Sequence, residues 1–194
     1  NVSNTNSTGY GSAGIYSNAA VGSGNVLLSN NFVTNVYARG YDLGGQADNG
    51  NGIVIGGAGT GIKVYNNSVA LNTNQTAAGR PAALNILSGV AAGAVDVRNN
   101  ILVNNQTQAG ERYAIYSGSA NTSFANIDHN NYHTTGANLG FLGSKRLDLA
   151  GIQAGFGANV NSLNVASIFT STTDLHLTDV NSALDNKGTA LADV

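Results

Sequence analysis

One phrase occurs four times in this chain and limits what it can fold into: a short apolar strand, an asparagine pair, then a second apolar strand. It reads NVLLSNNFVTN at residues 25–35, IKVYNNSVALN at 62–72, VDVRNNILVNN at 95–105 and, more weakly, FANIDHNNYHT at 124–134. The pairs begin at Asn30, Asn66, Asn99 and Asn130, spaced by 36, 33 and 31 residues. A period of that size with a constant core phrase marks stacked repeats, each burying its apolar face only against its neighbours.

Each repeat resolves into three strands. A first apolar run stands as GIYSN at 14–18, GIVIG at 52–56, ALNIL at 83–87 and YAIYS at 113–117. The second strand precedes the asparagine pair and the third follows it. In the second strand Val26/Leu28, Ile62/Val64 and Val95/Val97 alternate with Leu27/Ser29, Lys63/Tyr65 and Asp96/Arg98. That is the period-two pattern of a strand with one buried face.

Strands that recur in one direction, coil after coil, pair in parallel with their copies. The expected fold is an all-β parallel β-helix of about four three-stranded coils. Its corner asparagines, Asn30, Asn31, Asn66, Asn67, Asn99, Asn100 and Asn130, are expected to stack as ladders, because an amide both donates and accepts along the stack. In the fourth copy a strict alignment of Asn130/Asn131 would turn Asp128 inward, and an unpaired buried charge is costly. A register slid by one is therefore expected, with Ala125 and Ile127 inward and His129-Asn130 at the corner.

Composition agrees with repeated tight turns: of 194 residues, 26 are Gly and 29 Asn. Both types tolerate left-handed backbone and are poor in helices. With 9% charged residues and a net charge of -2, no basic nucleic-acid footprint is present. Without Cys, disulfides and thiolate metal sites are excluded. No apolar run reaches the length of a membrane span, and no signal peptide is seen. The chain opens as though already inside a coil, so it reads as part of something longer, with further coils supplied by the parent chain or by a neighbouring subunit.

The coils are expected over 1–136, followed by a C-terminal coil and cap segment over 137–194. Residues 141–155 (FLGSKRLDLAGIQAG) read as a short helix with Ser144 as N-cap, Leu147, Leu149 and Ile152 as apolar positions and Gly155 as stop. Residues 161–177 return to extended chain, and Ser182-Ala183-Leu184-Asp185 then makes a turn that Gly188 closes. Together these are expected to cap the last coil.

The asparagine-pair phrases and the tail, Asp174-Leu175-His176-Leu177 then Ser182-Ala183-Leu184-Asp185 and Gly188, resemble secreted right-handed parallel β-helix proteins of the pectate-lyase-like superfamily. More narrowly they resemble repeat-bearing surface proteins of Bacteroidetes-type bacteria, although the proline usual in that tail is missing. The resemblance implies an extracellular or cell-surface setting. It leaves activity open, because this scaffold carries lyases, hydrolases, adhesins and stalks.

Enzymes of this kind need carboxylates converging within about 5–10 Å, and here nine Asp and one Glu are thinly spread. Asp96 is expected to pair across rungs with Lys63, and Glu111 with Arg112. His129 and His133 are four apart, which on extended chain is too far for a shared metal. The longest inserted loop, 38–51, holds Arg39, Tyr41, Asp42 and Asp48, the candidate contacts for a glycan, with calcium the one cofactor they could take. Tyr16, Tyr65 and Tyr116 on strands and Tyr37 near the loop are further aromatic surfaces. The function expected is a non-catalytic adhesive or spacer segment that contacts glycans; the alternative is a fragment of a polysaccharide lyase or glycoside hydrolase.

Overall fold

The computed structural model describes every residue except 1, 4, 5, 42–45, 179–181 and 193. In chain order the strands are Val2–Ser3 (β1); Ser12–Ala19, Leu27–Ser29 and Phe32–Thr34 (β2–β4); Gly50–Gly57, Ile62–Tyr65 and Ser68–Leu71 (β5–β7). They continue with Ala82–Ile86, Val95–Arg98 and Ile101–Asn104 (β8–β10); Tyr113–Ser117, Phe124–Asp128 and Asn131–Thr134 (β11–β13); and Gly140–Leu142 and Ser144–Arg146 (β14, β15). One helix, Leu149–Phe156 (α1), follows.

Three sheets run along a parallel β-solenoid. The first orders β2-β5-β8-β11-β14-β15, the second β3-β6-β9-β12 and the third β1-β4-β7-β10-β13. Every pairing is parallel except β14 with β15. Each sheet sends apolar columns inward, among them Ile15-Ile53-Leu84-Ile115 from the first, Leu28-Val64-Val97-Ile127 from the second and Val33-Val69-Leu102-Tyr132 from the third. These columns form one continuous core. Branched side chains fit it because the pleat holds their rotamers and same-type neighbours stack one rung apart.

In the fourth repeat Ile127 takes the inward column and Asp128 aligns with Arg98 outside, the slid register. The second inward residue is Phe124 rather than Ala125. A bulge between Phe124 and Asn126 puts Ala125 out of the ladder, exposed, and Phe124 against the core. A bulge of one residue flips the faces on either side of it.

The segment after Gly136 departs from the sequence expectation. Phe141 lies in β14 and Ser144 in β15, so the helix starts later and its N-cap is Asp148, whose Oδ1 accepts from Gly151 N at 2.8 Å. Leu147 is 70% exposed, outside the helix, while Ile152 and Phe156 are buried and close the end of the core. Gly157, at φ 72°, is the stop, and Gly155 is inside the helix. The tail is not only an end cap. Leu163 bridges Asn131 in the last coil, Asn99 Nδ2 donates to Thr189 O at 2.8 Å, and His176 meets Phe32 of the first coil edge-on at 4.8 Å. It therefore runs back along the outer side of the third sheet, with Leu177 and Leu184 beside Ile101 around a cavity of about 110 Å³. Among the described residues no helix is long and apolar enough to cross a membrane.

Candidate functional site

The two members of each asparagine pair do different work. Asn30, Asn66, Asn99 and His129 have φ of 57°, 54°, 61° and 55°. They turn the corner in the left-handed region, which Asn enters more readily than other non-glycine residues. The ladder itself is Asn31-Asn67-Asn100-Asn130. Each of the first three donates its backbone N–H and its Nδ2 to the Oδ1 of the next, at 2.9–3.1 Å. Asn67, Asn100 and Asn130 also reach back to Leu28, Val64 and Val97 carbonyls. Ser162 ends the ladder, its Oγ accepting from Asn130 N at 3.0 Å. From Asn67 to Asn130 both atoms of every amide are committed to the structure.

The outer face of the first sheet differs. Its outward column is Tyr16-Val54-Asn85-Tyr116-Phe141. Tyr116 and Phe141 stack at 4.6 Å with Tyr113 against them, and Tyr16 is exposed. Loop residues 46–48 cross this face. Asn51 Nδ2 holds the Gln46 carbonyl at 3.1 Å, and Gln46 Nε2 donates to Arg80 O at 2.7 Å. A depression of about 490 Å³ lies on one side, lined by Gln46, Ala47, Leu87, Ser88, Tyr116 and Gly118. A second, of about 370 Å³, has Tyr16, Ala47, Asp48 and Val54 in its wall.

Asn85 sits in the middle of the column, fully buried, and among the described residues neither atom of its amide has a hydrogen-bond partner. Such a group costs about 1–3 kcal/mol relative to a satisfied or apolar side chain. Asn85→Leu, close in volume, is therefore expected to raise the urea midpoint. A lowered midpoint would mean that the amide is structurally engaged.

The loop candidates divide between two places. Tyr41 stacks on Tyr10 at 4.9 Å, and the Arg39 guanidinium lies 5.6 Å from the Tyr10 ring centre, forming one exposed cluster. Asp48 belongs to the Tyr16 depression. Asp42 lies outside the described residues. Asn85 and Tyr10 escaped the sequence reading. The signal for Asn85 was present, a lone amide inside the apolar run ALNIL at an outward position.

The other acids have structural partners. Asp96 is bound by Arg98 at 2.6 Å, with Lys63 beside it in register. Arg98 also covers Tyr65, which leaves that tyrosine buried rather than exposed. Glu111 pairs with Lys145 and not with its neighbour Arg112, whose guanidinium serves the carbonyls of Gln108, Gly110 and Thr135. Asp128 accepts from His129 N, Asn161 N and Asn161 Nδ2 at 2.8–2.9 Å. His129 Nδ1 lies 2.9 Å from Lys187 O, and among the described residues no three His, Asp or Glu side chains gather to hold a metal.

Partial burial pushes the carboxyl pKa values of Glu111 and Asp128 up, but the bonds from Lys145 and Asn138 in one case, and from Asn161 and His129 in the other, outweigh it. Both end below the ordinary 4.5 and 3.8. A depressed folded-state pKa contributes stability that is present above the unfolded value and is lost as pH falls through the folded one. Both carboxylates tie coils to the C-terminal segment, so that segment is expected to loosen below about pH 4. Glu111→Gln with Asp128→Asn should flatten that acid limb by less than about 1 kcal/mol per group, since both are partly solvated. An unchanged limb in a pH series of urea melts would refute it.

Fold and site together define a parallel β-solenoid repeat protein with an amide-laddered corner and a tyrosine-bearing outer face. Compared with protein-family models, curated proteins and solved structures, the chain has no match in any of the three.

Proposed function

We propose that this chain is a non-catalytic segment of a bacterial extracellular or cell-surface protein, an adhesive or spacer stalk that contacts glycans along its side. The observation that carries this reading is the outward column of the first sheet. It places Tyr16 and Tyr116 at the walls of two depressions on a rigid, parallel-paired floor. Aromatic faces beside amides suit sugars, since the ring C–H face stacks and the hydroxyls take paired donors and acceptors. The structural engagement of Asp96, Glu111, Asp128 and Asp148 fits a scaffold better than a reaction centre. The resemblance to pectate-lyase-like β-helix proteins of Bacteroidetes-type bacteria supports the surface setting, and further coils, from a longer chain or a neighbouring subunit, are the expected structural partners.

A glycan array run with and without calcium, with bound sugars examined for new reducing or unsaturated ends, tests this. Binding without cleavage is expected. Cleavage would replace the reading with that of a lyase or hydrolase fragment.

A further inference from the structure

We propose that the outer face of the first sheet holds a subsite for a neutral pyranoside, with the Asn85 amide as its polar floor and Tyr116 as its ring platform. This rests on the glycan-contact reading and deepens it.

A parallel sheet buries apolar columns readily, so a polar residue kept without a partner in one of them needs a reason other than packing. Asn85 is fully buried with both Oδ1 and Nδ2 unpartnered, and nearby Gln46 Oε1 is a second buried atom without a partner. By register Asn85 falls between Val54 and Tyr116, which line the two depressions, and Ala47 is common to both walls. Gly56 connects the two ends. A Cβ there would lie 3.1 Å from Leu87 Cδ1 and 3.3 Å from the Tyr16 hydroxyl, so side chains from both depressions meet over this one glycine. On this proposal the two depressions are ends of one trough on the same sheet face, to either side of the buried amide, with Ala47 in both walls.

The chemistry of the trough selects the ligand. One primary amide offers two donors and an acceptor in a plane, the complement of two adjacent hydroxyls. The wall on the Tyr116 side, Gln46, Ala47, Leu87, Ser88, Tyr116 and Gly118, has no charged side chain and so offers no counter-charge to an acidic sugar. The fit is to an uncharged hexose or pentose chain rather than to a uronate polymer. Asn85 is fully buried and lines neither depression, so contact with it requires the cover over it to shift.

The test is titration of the intact protein with cellohexaose, xylohexaose, mannohexaose and oligogalacturonate, followed by calorimetry and by the ¹⁵N-resolved side-chain NH₂ signals of Asn85. A neutral hexasaccharide is expected to bind and to shift those signals. Asn85→Leu should weaken it about tenfold or more, the effect of a lost hydrogen-bonding pair, while melting at a higher temperature than the parent. Neutral binding unchanged in Asn85→Leu overturns the subsite and leaves the broader glycan reading standing. Preference for oligogalacturonate overturns the neutral assignment. No binding of any saccharide by the parent protein overturns both.

Discussion

Asn100→Ala is expected to destabilise the solenoid by about 3–6 kcal/mol, enough to unfold a domain of ordinary stability. The Asn100 Oδ1 accepts from Asn67 N and Asn67 Nδ2, both at 3.0 Å. Its Nδ2 donates to Val64 O at 2.8 Å, to Arg98 O at 3.0 Å and to Asn130 Oδ1 at 2.9 Å. Alanine orphans the buried Asn67 backbone N–H, at about 1–3 kcal/mol, and takes one bond each from the Val64 carbonyl, Asn67 Nδ2 and Asn130 Oδ1, at about 0.5–1.5 kcal/mol apiece; the last two keep Leu28 O and Asn100 N. The adjacent substitution Asn99→Gly should cost far less. It keeps the left-handed turn at φ 61° and loses the tie to Thr189, which is partly exposed. Urea denaturation of the two variants reads the difference. Equal costs would mean that the pair acts as a unit rather than as a turn residue followed by a ladder residue.

That division of labour marks the boundary of what the sequence showed. The coil, the parallel pairing and the alternation in VDVR were legible because period two and period about 33 are imposed by geometry that no side chain can evade. Which Asn of NN turns and which one stacks was not legible, because both types of backbone accept the same residue. His129 discloses it in retrospect: it replaces the turning Asn at φ 55°, while Asn130 keeps the ladder bonds. The helix was misplaced for a different reason. FLG reads equally as a helix start or as a strand, and tertiary pairing decided it, since β11 presents an open edge that Gly140–Leu142 fills. The candidate loop was recognisable by length. Its course over the outer face of the first sheet was not, since that depends on a fold-back which no local pattern encodes.

The second large effect is expected at the end of the coil. Helix α1 has eight residues, far too few to persist alone in water. What keeps it there is Asp148 at its N-terminus and two side chains driven into the core. Ile152 is fully buried, its Cδ1 filling the space left by Gly140, and the Phe156 ring lies 5.6 Å from that of Phe124. Ile152→Ala removes the central anchor and leaves a cavity against β14, a loss of about 2–5 kcal/mol. The remaining ties of α1, Leu149 at the edge of the core and Gln153 Nε2 to Asn159 O at 3.0 Å, are lesser ones, so part of that loss should appear as detachment of the helix rather than as uniform softening. Amide exchange in β11 and β14 would then quicken ahead of β5 and β8. An uncovered coil end exposes the apolar columns and an unpaired strand edge, so self-association with rising concentration should accompany it. Leu147→Ala is the matched control: that side chain is 70% exposed, and its loss should stay within about 0.5 kcal/mol. If Leu147→Ala matched Ile152→Ala in urea melts, the cap would be an amphipathic helix beginning near residue 144, as the sequence pattern had suggested, and not the two-anchor plug that the packing of Ile152 and Phe156 describes.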